Sequence, residues 1–275
     1  MNFIYLWPTW LIIVFEVLAF AVPAVVAHAV FRRLVPHRAL AEHNDVTGFV
    51  LAIVGVIYAV LLAFVVIIAW ESFNTADGVA QSEVSAAADL DRMSRSYGDK
   101  AARELRAEIA HYADLMRAEE WPAMQTGGSS PRAADSASRI GDLAVQMVEG
   151  ARQRNAVDDS VLGLVRTFAD ARRSRLNQNS AGIPSSLWVG LIVGALVTIG
   201  FTYLFGVENQ RLQLVVTGLL AGLIGLMFAM IIALDYPYRG VTSISPNIWQ
   251  MQSYLAVPIG TDTSFVNTGS VGNQN

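Results

Sequence analysis

Apolar residues fall in four unbroken stretches, 9–31, 48–70, 187–205 and 212–234, and between them the pattern changes to apolar residues at three- and four-residue steps. A bilayer core about 30 Å thick needs roughly 20 apolar residues in a helix, and each stretch meets that length. With no water to bond to, the backbone of a span satisfies itself as a helix. The spans form two hairpins, 9–70 closed by a loop at 32–47 and 187–234 closed by the short loop 206–211. Trp7, Trp10, Trp70, Trp188 and Tyr203 stand near span ends, where interfacial aromatics collect. A cleavable signal peptide does not fit 9–31: no basic region precedes it, it is long, and Arg32 and Arg33 follow it like a stop.

The intervening residues 71–186 carry 14 basic and 17 acidic side chains. Segments 78–96, 99–120, 133–154 and 157–178 place apolar residues on one face of a helix, with Asp99 as the N-cap of the second. Pro122 and Gly127-Gly128-Ser129-Ser130-Pro131 mark a loop. No breaker interrupts 71–77, so the second span is free to run on into the first of these helices. The fold expected is all-α: two transmembrane hairpins with an inserted extramembrane helical bundle. A short interfacial segment (1–8) precedes it, and a C-terminal segment (235–275), Gly/Thr/Asn-rich and expected to be flexible after 258, follows.

Composition narrows the classes. The chain has 275 residues, 53% hydrophobic and only 15% charged, with mean hydropathy +0.42. Of its 19 basic and 23 acidic side chains, only Glu16 lies inside a span. A single soluble globule is excluded, and a net charge of −4 argues against a nucleic-acid binder. The absence of cysteine excludes disulfides, thiolate metal sites and cysteine nucleophiles. No Walker A, G-x-G-x-x-G, H-E-x-x-H or Ser–His–Asp order is present. Neither enzyme nor cofactor is expected.

The carboxylates carry the candidate chemistry. The start of spans 1 and 3 and the end of spans 2 and 4 share one membrane face, so Glu16, Glu71 and Asp235 all lie toward it. A carboxylate inside a span is costly and marks a polar pathway or a partner; Glu16 shares its helix face with the small or polar residues Thr9, Ala19, Pro23 and Ala27. Glu71 and Asn74 follow span 2, and Asp235 ends span 4. In a symmetric oligomer acids at these positions form rings, which concentrate cations at a pore mouth. Small residues line one face of span 2 (Gly48, Ala52, Gly55, Ala59, Ala63) and of span 4 (Gly218, Gly222, Gly225, Ala229), and these read as close helix packing. Arg32, Arg33, Arg38 and Arg211 in the short loops put those loops in the cytoplasm and the helical domain on the external side. Arg166, Arg172, Arg173 and Arg175 before span 3 pull the other way.

Several short motifs keep their order around the four spans: His43-Asn44-Asp45-x-x-Gly48, Trp70-Glu71-x-Phe73, Glu120-Trp121-Pro122, Arg172-x-x-Arg175-Leu176, Pro184-x-x-x-Trp188 and Leu234-Asp235-x-Pro237-x-x-Gly240. In these the chain resembles the bacterial bestrophin-like membrane proteins, over roughly 5–255. The resemblance implies a homo-oligomeric ion channel of the bacterial cell membrane, a pentamer by analogy with a tetramer possible, with the second span lining the pore. It also implies extramembrane helices on the cytoplasmic side, against the loop charges, and anion rather than cation passage, against the acidic mouth. Span 2 lacks the bulky apolar neck motif of known bestrophins. The lipid bilayer and ions are the partners expected. The rival reading is a non-conducting membrane-anchored sensor or assembly module whose helical domain binds another protein.

Overall fold

The computed structural model describes residues 8–36, 40–98, 100–150, 156–240 and 242–250. Asp99, the expected N-cap, and the tail after Pro258 lie outside the described residues, as does most of segment 1–8. The eight α-helices described are α1 (Thr9–Leu34), α2 (Asn44–Ser94), α3 (Lys100–Leu115), α4 (Trp121–Gln125), α5 (Pro131–Glu149), α6 (Ala156–Ser180), α7 (Ser185–Tyr203) and α8 (Gln210–Asp235). A π-helical turn, Met116–Glu120, joins α3 to α4, and a 3-10 turn, Pro246–Trp249, closes the described chain. No strand occurs among the described residues. The fold is all-α, with four helices long and apolar enough to cross a membrane.

The second span does continue into the domain. At 1.5 Å per residue, the 51 residues of α2 reach about 76 Å, more than twice a bilayer core. Nothing in 71–94 breaks the helix, because that stretch is alanine-rich and free of proline. Its single Gly78 sits in open space and disturbs no packing.

Two separate cores hold the molecule. In the membrane half, Tyr58, Leu62 and Val65 of α2, Leu191 and Ala195 of α7, and Ala221, Ile224 and Phe228 of α8 pack together with Ala24 of α1. In the domain, Val84, Ala87 and Leu90 of α2 meet Leu105, Ile109 and Tyr112 of α3, Ile140 and Met147 of α5, and Val161 and Phe168 of α6. The i, i+3, i+4 spacing of these residues puts them on one helix face. The principal pairings are α1 on α8 and α2 on α6.

Pro122 differs from its expected place. It sits in the first turn of α4, directly after the π-helical turn and inside an unbroken helical run, and the loop begins at Thr126, with Gly127 at φ +84°. Ser130 then caps α5, its hydroxyl oxygen accepting from the Ala133 N–H, with Pro131 in the first turn.

Candidate functional site

The polar residues of the spans and junctions do two different things. Some stand open on the outside of the chain, and others stitch elements together.

Glu71 and Asn74 belong to the first kind. Both are exposed on α2, just past Trp70, with buried Ala69 and Ala76 on the opposite side of the helix. They continue an outward face on which Phe49, Ile53, Val56, Ile57, Val60, Phe64, Ile67 and Ile68 are exposed.

Asp235 belongs to the second kind. It is 6% exposed, and its Oδ1 accepts the Ile183 N–H at 2.7 Å. That bond ties the end of α8 to the connection that opens α7. The chain then turns back beneath the domain. The Ile244 N–H donates to the Pro237 carbonyl, and Gly240 takes φ +83°, which favours glycine. The Tyr238 hydroxyl donates to the Ala76 carbonyl of α2 at 2.8 Å, and the Arg239 guanidinium lies 4.1 Å over the Tyr236 ring.

Glu16 is buried in α1, at 8% exposure. A Cβ on Gly225 of α8 would stand 2.6 Å from its backbone carbonyl oxygen. The other span 4 positions behave alike: a Cβ at Gly218 would meet Val25 at 3.1 Å, and one at Gly222 would meet Val17 at 3.4 Å. The small stripe of α8 therefore lies against α1. On α2, Gly48 is only loosely covered by Phe205, and nothing lies within 4 Å of a Cβ at Gly55. Gly55 instead lines an apolar groove of about 520 Å³ with Tyr58, Leu62, Thr198 and Met227. Among the described residues, no hydrogen bond or ion pair joins Glu16, Glu71 and Asp235, and no group of three or more His, Asp or Glu is placed to hold a metal.

A buried polar assembly lies in the domain, and its centre, Glu83, belongs to none of the sequence motifs. Glu83 of α2, Glu120 of the π-helical turn and Arg175 of α6 are all fully buried. Arg175 Nε–H donates to Glu83 Oε2 at 2.5 Å, and its Nη2 reaches Glu120 Oε1 at 3.2 Å. Arg172 Nη2 adds a second cation on Glu120 Oε1 at 3.3 Å, and the Ser130 N–H donates to the other oxygen. The Tyr112 hydroxyl donates to Glu83 Oε1 at 2.5 Å. Two carboxylates thus meet two guanidiniums, and the cluster carries no net charge. Trp121 stacks under Arg175 at 5.6 Å and donates its ring N–H to the Ile244 carbonyl. Burial works against the Arg175 charge, but Glu83, Tyr112 and Glu120 outweigh it and hold its pKa above the ordinary arginine value. Burial, then the Glu83 charge, pushes the Tyr112 phenol up.

Asn44 of the motifs, and Arg32 outside them, are joints as well. Asn44, at the start of α2, donates to the Gly206 carbonyl at 3.2 Å and accepts the Gly206 N–H at 2.8 Å, so it fastens one hairpin loop to the other. Arg32 Nη2 donates to the Val207 carbonyl at 2.7 Å beside it.

Comparison with known proteins agrees with this architecture. The model of the bestrophin-like domain family matches residues 18–248, and the chain belongs to that family. A crystal structure of a bacterial bestrophin homologue from Klebsiella pneumoniae superposes with a TM-score of 0.63 at 12% sequence identity, over 90% of this chain and 95% of that one. A mutant form of the Klebsiella homologue gives 0.65 at 12% identity, over 90% and 97% of the two chains. The likeness at that identity is one of fold. No curated protein matches the chain in sequence.

Proposed function

We propose that the chain is one subunit of a homo-oligomeric ion channel in the bacterial cell (inner) membrane, with the membrane half of α2 lining the pore. The observation that carries this reading is the outward face of α2, from Phe49 to Asn74. It is one of the long exposed apolar faces of the membrane half, another running from Trp10 to Leu34 on α1, and unlike that one it ends in an exposed carboxylate and amide. Membership of the bestrophin-like family supports it. Repeated around an axis, Glu71 and Asn74 form an acidic, polar ring at the mouth, which favours cations. Asp235 is tied to Ile183 and supports the mouth without facing it. Glu16 is a buried polar site where α1 packs on α8.

For the side of the membrane, the cytoplasmic helices that the bestrophin-like resemblance implies stand against four loop arginines, one of which, Arg32, already serves as a joint. We therefore place the helical domain in the cytoplasm, opposite to the side that loop charge favours. A chain without cysteine makes the test clean. Single cysteines in place of exposed Lys100 and Arg211 are labelled in intact cells with a membrane-impermeant maleimide. Labelling only at 211 supports the cytoplasmic placement, and labelling only at 100 reverses it.

Purified protein in planar bilayers tests conduction. Reversal potentials under a salt gradient should show cation preference, and Glu71→Gln should abolish it. Identical reversal potentials in the two proteins would remove Glu71 from the mouth.

A further inference from the structure

A polar cluster lies where α1, α7 and α8 approach their loops, and neither the pore nor the domain uses it. His28 is fully buried, and Thr198, Thr202, Gln213 and Thr217 are each more than nine-tenths buried. His28 Nδ1 stands 2.8 Å from Thr217 Oγ1. Thr217 Oγ1 stands 3.2 Å from Thr202 Oγ1, and Thr202 Oγ1 lies 2.6 Å from the Ile199 carbonyl oxygen. Gln213 Nε2 donates to the Phe205 carbonyl at 2.6 Å and more weakly to the Thr202 carbonyl at 3.4 Å.

Counting protons fixes the imidazole. A hydroxyl has one proton to donate, and a carbonyl can only accept. The Thr202 proton goes to Ile199, so Thr202 Oγ1 accepts from Thr217. Thr217 has then given its proton away and must accept from the ring, which places a proton on His28 Nδ1. In the neutral ring Nε2 is left as a bare acceptor. That nitrogen is buried with no partner, and so are Gln213 Oε1 and Thr198 Oγ1. Arg32 Nη1 on α1 is buried without a partner as well, and four unmet polar atoms in one membrane bundle are out of keeping with the near-complete pairing of buried polar groups.

We propose that this cluster is an internal binding site for water, with His28 Nε2 and Gln213 Oε1 as acceptors and the Thr198 hydroxyl as a further partner. Water gives protons to acceptors and brings no charge, and buried waters serve such groups. A cation does not suit the cluster, which contains no carboxylate. The Arg32 guanidinium, one turn along α1, acts electrostatically on the His28 ring and repels a second positive charge. Nor is the hydrogen-bond chain a proton relay, because it ends on the Ile199 carbonyl, which has no proton to pass on. Thr198 also lines the apolar groove between α2, α7 and α8.

The full chain in lipid bilayers, labelled with ¹⁵N-histidine, tests this by solid-state NMR. Replacing His37, His43 and His111 by asparagine leaves His28 as the sole imidazole of the chain's four and leaves the cluster untouched. We expect Nδ1 protonated, Nε2 at the unprotonated ¹⁵N position, and magnetisation transfer from water to the ring. Thr217→Val should release Nδ1 and mix the two tautomers. A proton fixed on Nε2, or a ring that receives no magnetisation from water, overturns the proposal.

Discussion

Arg175 closes on Glu83 in the middle of the domain, with both side chains wholly removed from solvent and Nε 2.5 Å from Oε2. One partner belongs to the helix that leaves span 2 and the other to the helix that leads to span 3. Desolvating a pair of this kind is expensive, and losing one member leaves the other charged and unpaired. Arg175→Met should therefore destabilise the protein by roughly 3–5 kcal/mol. Glu83→Leu together with Arg175→Met should recover part of that loss. Thermal unfolding of the three purified proteins checks it; a double variant no more stable than the single one would show that the damage lies in packing.

Alkaline pH should strike the same place. The Tyr112 phenol is held well above its ordinary value of 10.0, by burial first and then by the Glu83 charge. The folded state thus keeps a proton that the unfolded state releases, so stability must fall as pH rises above that value. Stability is expected to be level from pH 8 to about 10 and to decline beyond it, with a shallower decline in Tyr112→Phe. Melting temperatures across that range decide the matter, and equal slopes would exclude Tyr112.

The two glycine stripes should respond differently. A side chain at Gly225 collides with the Glu16 backbone, whereas one at Gly55 enters open space. Gly225→Val is expected to cost about 1–3 kcal/mol through overpacking and to loosen α1 from α8. Gly55→Ala should not lower the melting temperature of the isolated subunit and should raise it slightly, since alanine suits a helix interior better than glycine. If Gly55 packs against a neighbouring copy, the alanine variant will change oligomer size on native mass spectrometry.

Asp235 and Glu71 are separable in the same way. Asp235→Ala leaves the Ile183 N–H without its acceptor and should lower stability by about 1–3 kcal/mol, while Asp235→Asn keeps an oxygen for that bond. Neither should alter ion preference in bilayers, in contrast to Glu71→Gln. A shift in reversal potential with Asp235→Asn would place that carboxylate on the ion path.

The spans and their hairpins were legible because lipid imposes one demand, some 20 largely apolar residues with almost no charge, and Glu16 is the single exception. Continuation of span 2 was legible from the lack of a breaker in 71–77. The centre of the buried network was not. Glu83 sits between Ala80 and Val84 in a helix otherwise rich in charge, and a lone acid there looks like any solvated side chain. The signal was its register, since 76, 80, 83, 87 and 90 form one stripe, but the partners that make it tolerable, Tyr112 and Arg175, come from 29 and 92 residues away. Asp235 could be placed at a span end from the sequence, yet its bond to Ile183 depends on how two connections meet, which periodicity does not encode. His28 was hidden for a similar reason: its hydroxyl partners lie on other helices.

Because α2 passes from lipid to domain without a hinge, its two halves are obliged to move as one rod. Phe49 is 34 positions from Glu83, about 51 Å along the axis. A tilt of roughly 3° pivoting at the Glu83–Arg175 clasp would sweep the far end through about 2.7 Å at that helix length. Leverage of that kind turns a small rearrangement among soluble helices into a displacement as large as a water molecule at the opposite leaflet, with no separate transmission element required.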